Sequence, residues 1–245
     1  MIKQKLIFFN TNFKKFKLIS NINITLEGTQ KLQIVDHCKY LGIMLDNKLS
    51  WKPHIDLLVK KLSNVLRMLY RIRYYLPKSA LLAITHSLFI SHINYGILCW
   101  GRAGKTIQDP IKILFNKLIR CINFQPYRYS NVNSLFLKDQ ILQVDDIFSL
   151  ELGKFVYKFN NNQLPPVFDN YFKDLTEIHD HNTRGKEDNY FVERINSKMG
   201  SNTLKYRGVT LWKEIVASTK QSDSYSIFSL NYKKDLLRKY NNCPP

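Results

Sequence analysis

The 245 residues carry 37 Lys and Arg against 19 Asp and Glu, a net charge of +18. A hydrophobic share of 44% and an aromatic share of 13% are enough for a packed core and exclude an intrinsically disordered chain. The cationic surplus points to an anionic partner, nucleic acid first, with a basic protein lacking any specific partner as the plain alternative.

The first fifty or so residues are predicted as strands. Leu6 to Phe9 is a short apolar run, too short for a signal peptide, so an intracellular location, cytoplasmic or nuclear, is expected. Ile22, Ile24 and Leu26 alternate with polar residues, the period of a half-buried strand. Glu27-Gly28-Thr29-Gln30 reads as a turn, followed by strands over Leu32 to Val35 and Tyr40 to Leu45. A small antiparallel ribbon of this kind is marginal alone, which suggests that the chain starts within a larger domain.

From Ser50, a candidate cap with Pro53 in the first turn, the period becomes helical. Ile55, Leu58, Leu62, Val65, Leu66, Leu69 and Ile72 share one face; Lys52, Asp56, Lys60, Asn64, Arg67 and Arg71 share the other. Pro77 stops this helix. Ser79 opens a second, nearly all apolar, that runs to about Cys99; His86, His92 and Asn94 mark it as a buried helix rather than a membrane span. A third helix is predicted from about Asp109 to Asn123, with Ile111, Leu114, Phe115, Leu118 and Ile122 inward. Val132 to Lys138 follows, then a helix from about Val144 to Phe159 that Asn160-Asn161-Asn162 and Pro165-Pro166 end. The polar stretch 178–202 is predicted as loop with a short strand at Tyr190 to Ile195, and helices over Leu204 to Ile215 and Ser226 to Tyr240 close the chain. The fold class is therefore mostly α with a small N-terminal antiparallel β-ribbon.

The segment Cys38-Lys39-Tyr40-Leu41-Gly42-Ile43-Met44-Leu45-Asp46, then Leu49-Ser50-Trp51-Lys52-Pro53-His54-Ile55, resembles the palm-to-thumb junction of reverse transcriptases from non-LTR retrotransposons, the jockey-like mobile elements. "INYGILCWG" at Ile93 to Gly101, "KFVYKFNNNQLPP" at Lys154 to Pro166 and "TLKYRGVTLWKEI" at Thr203 to Ile215 are similar to the region after the thumb in the same family, and in the same order. The resemblance implies a palm remnant over 1–48, a thumb-like helical bundle over 49–125 and a helical post-thumb region over 126–245. It implies a primer-grip-like strand at Tyr40, Leu41 and Gly42. It also implies RNA, DNA or an RNA–DNA hybrid as partner, with no membrane.

The same family holds two divalent metals on an Asp-Asp turn and a third Asp upstream of the "YLG" strand. Between Met1 and Tyr40 the acids are Glu27 and Asp36 alone. No catalytic residue and no metal ligand is therefore expected in this chain, and magnesium only in an intact enzyme. A non-enzymatic nucleic-acid-binding protein derived from such an element, or a silent remnant, remain as other readings.

Between Trp51 and Tyr75 stand Lys52, Lys60, Lys61, Arg67, Arg71 and Arg73 against one acid, Asp56. An ordinary solvated face mixes signs in i,i+4 pairs; this one does not, and cations at helical spacing suit phosphates read without regard to sequence. Tyr70, Tyr74 and Tyr75, and Tyr127 and Tyr129 beside Arg128, either stack on bases or pack at helix ends. Trp51 and Trp100 are expected in the core.

Other chemistry-bearing residues have plainer readings. Asp145-Asp146 precedes an apolar helical run and is expected to cap it. His179 and His181 flank Asp180 in a polar loop with no local third ligand. His86 and His92 are expected as core histidines, and Gly104-Lys105-Thr106 as a loop rather than a P-loop end. Cys38, Cys99, Cys121 and Cys243 form no CxxC pair, so reduced thiols are expected rather than a zinc knuckle or a disulfide framework.

Overall fold

The computed structural model describes residues 5–9, 25–26, 30–31, 33–126, 131–173, 190–192, 194–197 and 199–242. Helix dominates, and the strands lie before residue 47. The candidate residues Tyr127, Arg128, Tyr129, His179, Asp180, His181 and Cys243, and the turn at 27–29, fall outside the described residues.

Three two-stranded ladders replace one continuous ribbon. Strand β1 (Lys5–Leu6) pairs with β4 (Gln33–Ile34) in parallel, a departure from the antiparallel expectation. Strands β2 (Thr25–Leu26) and β3 (Gln30–Lys31) pair antiparallel, with Leu26 opposite Gln30. The segment predicted as one strand from Tyr40 to Leu45 is instead a tight hairpin. It joins β5 (His37–Tyr40) to β6 (Ile43–Asp46), with Cys38 opposite Leu45 and Tyr40 opposite Ile43. Leu41 (φ 44°) and Gly42 (φ 83°) form a two-residue turn with both φ positive, the geometry that matches the twist of the flanking strands. The run reads as a strand because Leu41 is apolar and one of the two turn positions is not Gly or Asn.

Helix α1 (Lys52–Ile72) follows the predicted periodicity: His54, Ile55, Leu58, Leu62, Leu66 and Leu69 are buried, and Val65 and Ile72 half-buried. The expected second helix is broken. It comprises α2 (Lys78–Ile84), a π-helical segment over Thr85–Ile90, α3 (Ser91–Asn94), a break at Tyr95-Gly96 with Gly96 at φ 62°, and α4 (Ile97–Trp100). A π-turn advances each residue through a smaller angle than an α-turn. The buried side therefore passes to Thr85, Phe89, Ile90 and Ile93, and His86 is exposed and His92 half-buried rather than core.

Helix α5 (Lys105–Ile122) begins a turn before its predicted start, so Gly104-Lys105-Thr106 opens a helix instead of a loop. Pro110 sits within it. Helices α1 and α5 run in the same direction. Ser50 and Trp51 share a groove with Gly104 and Ile107 at one end, and Arg73 reaches the Cys121 carbonyl at the other. Between them Leu58, Leu62, Leu66 and Leu69 join Ile111, Phe115, Leu118 and Ile122 in the core.

Helix α6 (Val132–Lys138) joins this layer through an edge-on contact of Phe115 with Phe136, centroids 5.1 Å apart. Lys78 ties the same region by hydrogen bonds to the Ile122 carbonyl (3.1 Å), Asn123 Oδ1 (3.0 Å) and Asp139 (2.9 Å). Helix α7 (Val144–Asn160) is buried along its length. It packs on α8 (Leu204–Glu214) and α10 (Tyr225–Arg238), with a short α9 (Ala217–Lys220) between them. Tyr157 stacks on Phe228 at 4.4 Å. One apolar cluster runs without a gap from Ile55 through Phe136 and Phe148 to Leu237. Tyr190 forms a single bridge where a longer strand was expected. Among the described residues no helix is long and apolar enough to cross a membrane.

Candidate nucleic-acid interface

Burial of one side of α1 fixes what the other side offers. With Leu62 and Leu69 fully buried, Lys52, Lys60, Asn64, Arg67 and Arg71 are held in solvent. On a helix of about 100° per residue, Lys60, Asn64, Arg67 and Arg71 share a stripe only about 60° wide. From Lys60 to Arg71 that stripe is about 16 Å long, roughly the rise of five nucleotides along one strand. Lys61 lies on its flank, exposed, about 100° around from Lys60.

None of the ion pairs among the described residues draws on α1; Lys52, Lys60, Lys61 and Arg71 have no side-chain partner there, and Arg67 holds Asn64 Oδ1. Asp56 stands four residues before Lys60 without pairing to it. Desolvation of these cations is therefore the only local cost of meeting an anion, and they have no carboxylate to give up.

Arg73 leaves this set. It falls about 40° from Leu69 on the helical wheel, on the apolar side, and turns toward the end of α5. Its guanidinium packs over Tyr74 (4.7 Å), Tyr70 (5.0 Å) and Phe124 (5.5 Å), donates to Tyr74 Oη at 2.6 Å, and reaches the Cys121 carbonyl at 3.4 Å. Arg73 braces two helix ends instead of extending the cationic stripe.

The hairpin tip is the second component. Tyr40, the last residue of β5, and the turn residues Leu41 and Gly42 are exposed there. Two motifs 54 residues apart in the chain meet here: Tyr95 Oη donates to the Leu41 carbonyl. A Cβ on Gly42 would lie 3.1 Å from the Tyr95 ring, and one on Gly96 would overlap Ile43 Cδ1. Positive φ favours glycine at both positions, and both lie close against a neighbouring side chain. The indole of Trp100, fully buried as expected, donates to the Tyr95 carbonyl at 3.0 Å and fixes the break from within.

The base of the hairpin is fastened to α1 by Asp46 and His54, neither of which the sequence reading singled out. Asp46 accepts the amides of Ser50 (3.0 Å) and Trp51 (2.9 Å). Burial works to raise its carboxyl, and these hydrogen bonds outweigh it, holding Asp46 below the ordinary carboxylate value. The expected cap Ser50 contributes only a 3.3 Å bond to the Lys52 amide, while Trp51, half-buried and not core, takes the N-cap position with φ 66°. His54 Nδ1 accepts the Met44 amide at 3.4 Å and its ring lies 5.9 Å from Trp100. Burial, and then the charge of Lys61, lower its pKa and favour neutral imidazole. A buried Asp followed four residues later by Ser and the start of a helix was the available signal for this clamp.

The remaining candidates resolve into structure. Asp145 and Asp146 lie in the first turn of α7 as expected, but Gln143 is the N-cap. Their carboxylates serve Lys112 (2.5 Å) and Tyr240 instead of helix amides. Among the described residues no three His, Cys, Asp or Glu side chains are grouped so as to hold a metal ion. Cys121 is buried, Cys38 half-buried and Cys99 exposed, all as free thiols.

Part of the chain is similar to a curated protein, the "Probable RNA-directed DNA polymerase from transposon BS" of Drosophila melanogaster. They are 28% identical over 110 residues, covering 42% of this chain and 12% of that protein. The chain thus spans about an eighth of the length of the relative it matches, and the match relates a region of it to transposon reverse transcriptases. No known family profile matches the chain, and no solved structure does.

Proposed function

We propose that this chain is the template–primer-binding, thumb-like portion of a non-LTR retrotransposon reverse transcriptase, and that it binds nucleic acid without itself polymerising. The cationic stripe of α1, Lys60, Arg67 and Arg71 with Lys61 at its flank and Lys52 at the start of the helix, lies along a polynucleotide backbone, either RNA, DNA or a hybrid duplex. The hairpin tip at Tyr40, Leu41 and Gly42 projects beside it toward the primer end. Residues 49–125 form the thumb-like body, and 126–245 brace it through the shared core.

The observation that carries this reading is charge placement: a helix whose rear face is fully buried presents five cations and one acid, none joined in an ion pair among the described residues. A sequence-indifferent grip needs phosphate contacts at fixed spacing and no base reading, which long flexible cations on a rigid helix provide. The partial similarity to a transposon polymerase supports the same partner class.

Changing Lys60, Arg67 and Arg71 together to Glu tests it by filter binding to a hybrid duplex in dilute buffer. Binding is expected to be abolished while the far-ultraviolet circular dichroism of the helices is unchanged, because all three side chains are outside the core. Unchanged affinity with an intact fold would mean that another face binds, or that none does.

A further inference from the structure

We propose that the aromatic cluster where α1 and α5 end stacks the unpaired bases of a single strand continuing from the polynucleotide on the α1 stripe. The inference rests on the function proposed above and adds to it the strand state of the ligand. Four rings meet solvent at this junction: Tyr75 is 85% exposed, Tyr74 70%, Phe124 48% and Tyr70 43%. Single exposed rings are ordinary on a protein surface, whereas several gathered on one patch mark an interaction site.

The cluster is also built, not frayed. Tyr74 and Phe124, from different helix ends, lie 5.5 Å apart at 52°. Arg73 locks them from behind, with its guanidinium against Tyr70, Tyr74 and Phe124 and its donors on Tyr74 Oη and the Cys121 carbonyl. Phe124 holds its ring outward with φ 54°, a backbone conformation that disfavours non-glycine residues. Tyr75 extends beyond this frame, and no side-chain partner engages it among the described residues.

Charge identifies the occupant. Residues 57–77 contain no acid, and the row Lys60, Arg67, Arg71 ends three residues before Tyr74. A ligand following that row must present phosphates first and flat apolar faces next, which is the chemistry of a nucleotide strand. A duplex hides its base faces in its own stack, apart from the terminal pair, so faces open to Tyr74 and Tyr75 belong to unpaired bases. Stacking of this kind is indifferent to sequence, because every base has a π-face.

The test compares the full chain with its Tyr74→Ala/Tyr75→Ala and Tyr74→Phe/Tyr75→Phe forms by fluorescence anisotropy. The probes are a labelled blunt duplex and the same duplex carrying an unpaired tail of thymidines. The tail is expected to tighten binding by the wild-type chain about tenfold, in the range of one or two stacked bases. The Ala pair should lose that gain and keep its blunt-duplex affinity; the Phe pair should keep both. No gain from the tail, a gain that survives in the Ala pair, or one lost in the Phe pair would each overturn the stacking site while leaving duplex binding in place. Failure of the wild-type chain to bind either probe would overturn both proposals together.

Discussion

Asp46 shows how much of the candidate site depends on a single buried acceptor. Changing it to Ala strands the Ser50 and Trp51 amides, and an unmade buried hydrogen bond costs about 1–3 kcal/mol. A loss of roughly 2–4 kcal/mol in urea unfolding is expected; a loss below about 0.5 kcal/mol would mean that water replaces the carboxylate. The pH dependence has a definite sign. Because the folded Asp46 pKa is lowered, its contribution is complete above the ordinary carboxylate value and is lost as pH falls below it. His54 acts in the same direction: with its folded pKa lowered, stability is retained above about pH 6.5 and declines as the unfolded imidazole takes up its proton. Asp46→Asn should therefore lessen the loss at strongly acid pH and keep the one that begins near pH 6.5, measured by thermal melts across that range. For Arg73, the expected result of an Ala change is a lower melting temperature with near-normal duplex affinity, since its donors and cation–π contacts are internal.

Elements with strong amphipathic periodicity were legible from the sequence, and those governed by tertiary contact were not. Helix α1 kept its predicted inward face from Ile55 to Ile72, and α7 kept its predicted bounds to within a residue, because burial at period 3.6 is a local signal. The hairpin was read as a strand and the second helix as unbroken, because each is shaped by the other: Gly96 leaves room for Ile43, and Tyr95 reaches the Leu41 carbonyl. The placement of Arg73 was recoverable, since its wheel angle already puts it with Leu69, and the count of basic residues obscured it. Gly96→Ala tests the joint between these elements. A left-handed backbone costs Ala about 1–2 kcal/mol, and the overlap with Ile43 adds to this. Unfolding free energy should fall by at least that amount, with faster hydrogen exchange at the Met44 amide; an unchanged exchange rate would show that the hairpin does not depend on the break.

Taken as a whole, the molecule joins a core that crosses from α1 to α10 with a charge surplus of +18. The core holds the rear of α1 against α5 and the broken second helix, so the cationic stripe is fixed in place before any ligand arrives. A phosphate backbone would neutralise part of that surplus and release its own condensed counterions. The most direct measurement is the affinity of the full chain for a duplex of arbitrary sequence, titrated across salt concentration. Contacts from Lys52, Lys60, Lys61, Arg67 and Arg71 should give a log–log slope of roughly −3 to −5, at about −0.9 per neutralised phosphate, and the same slope for unrelated sequences. A slope near zero, or no binding at the lowest salt, would contradict a polynucleotide lying along α1.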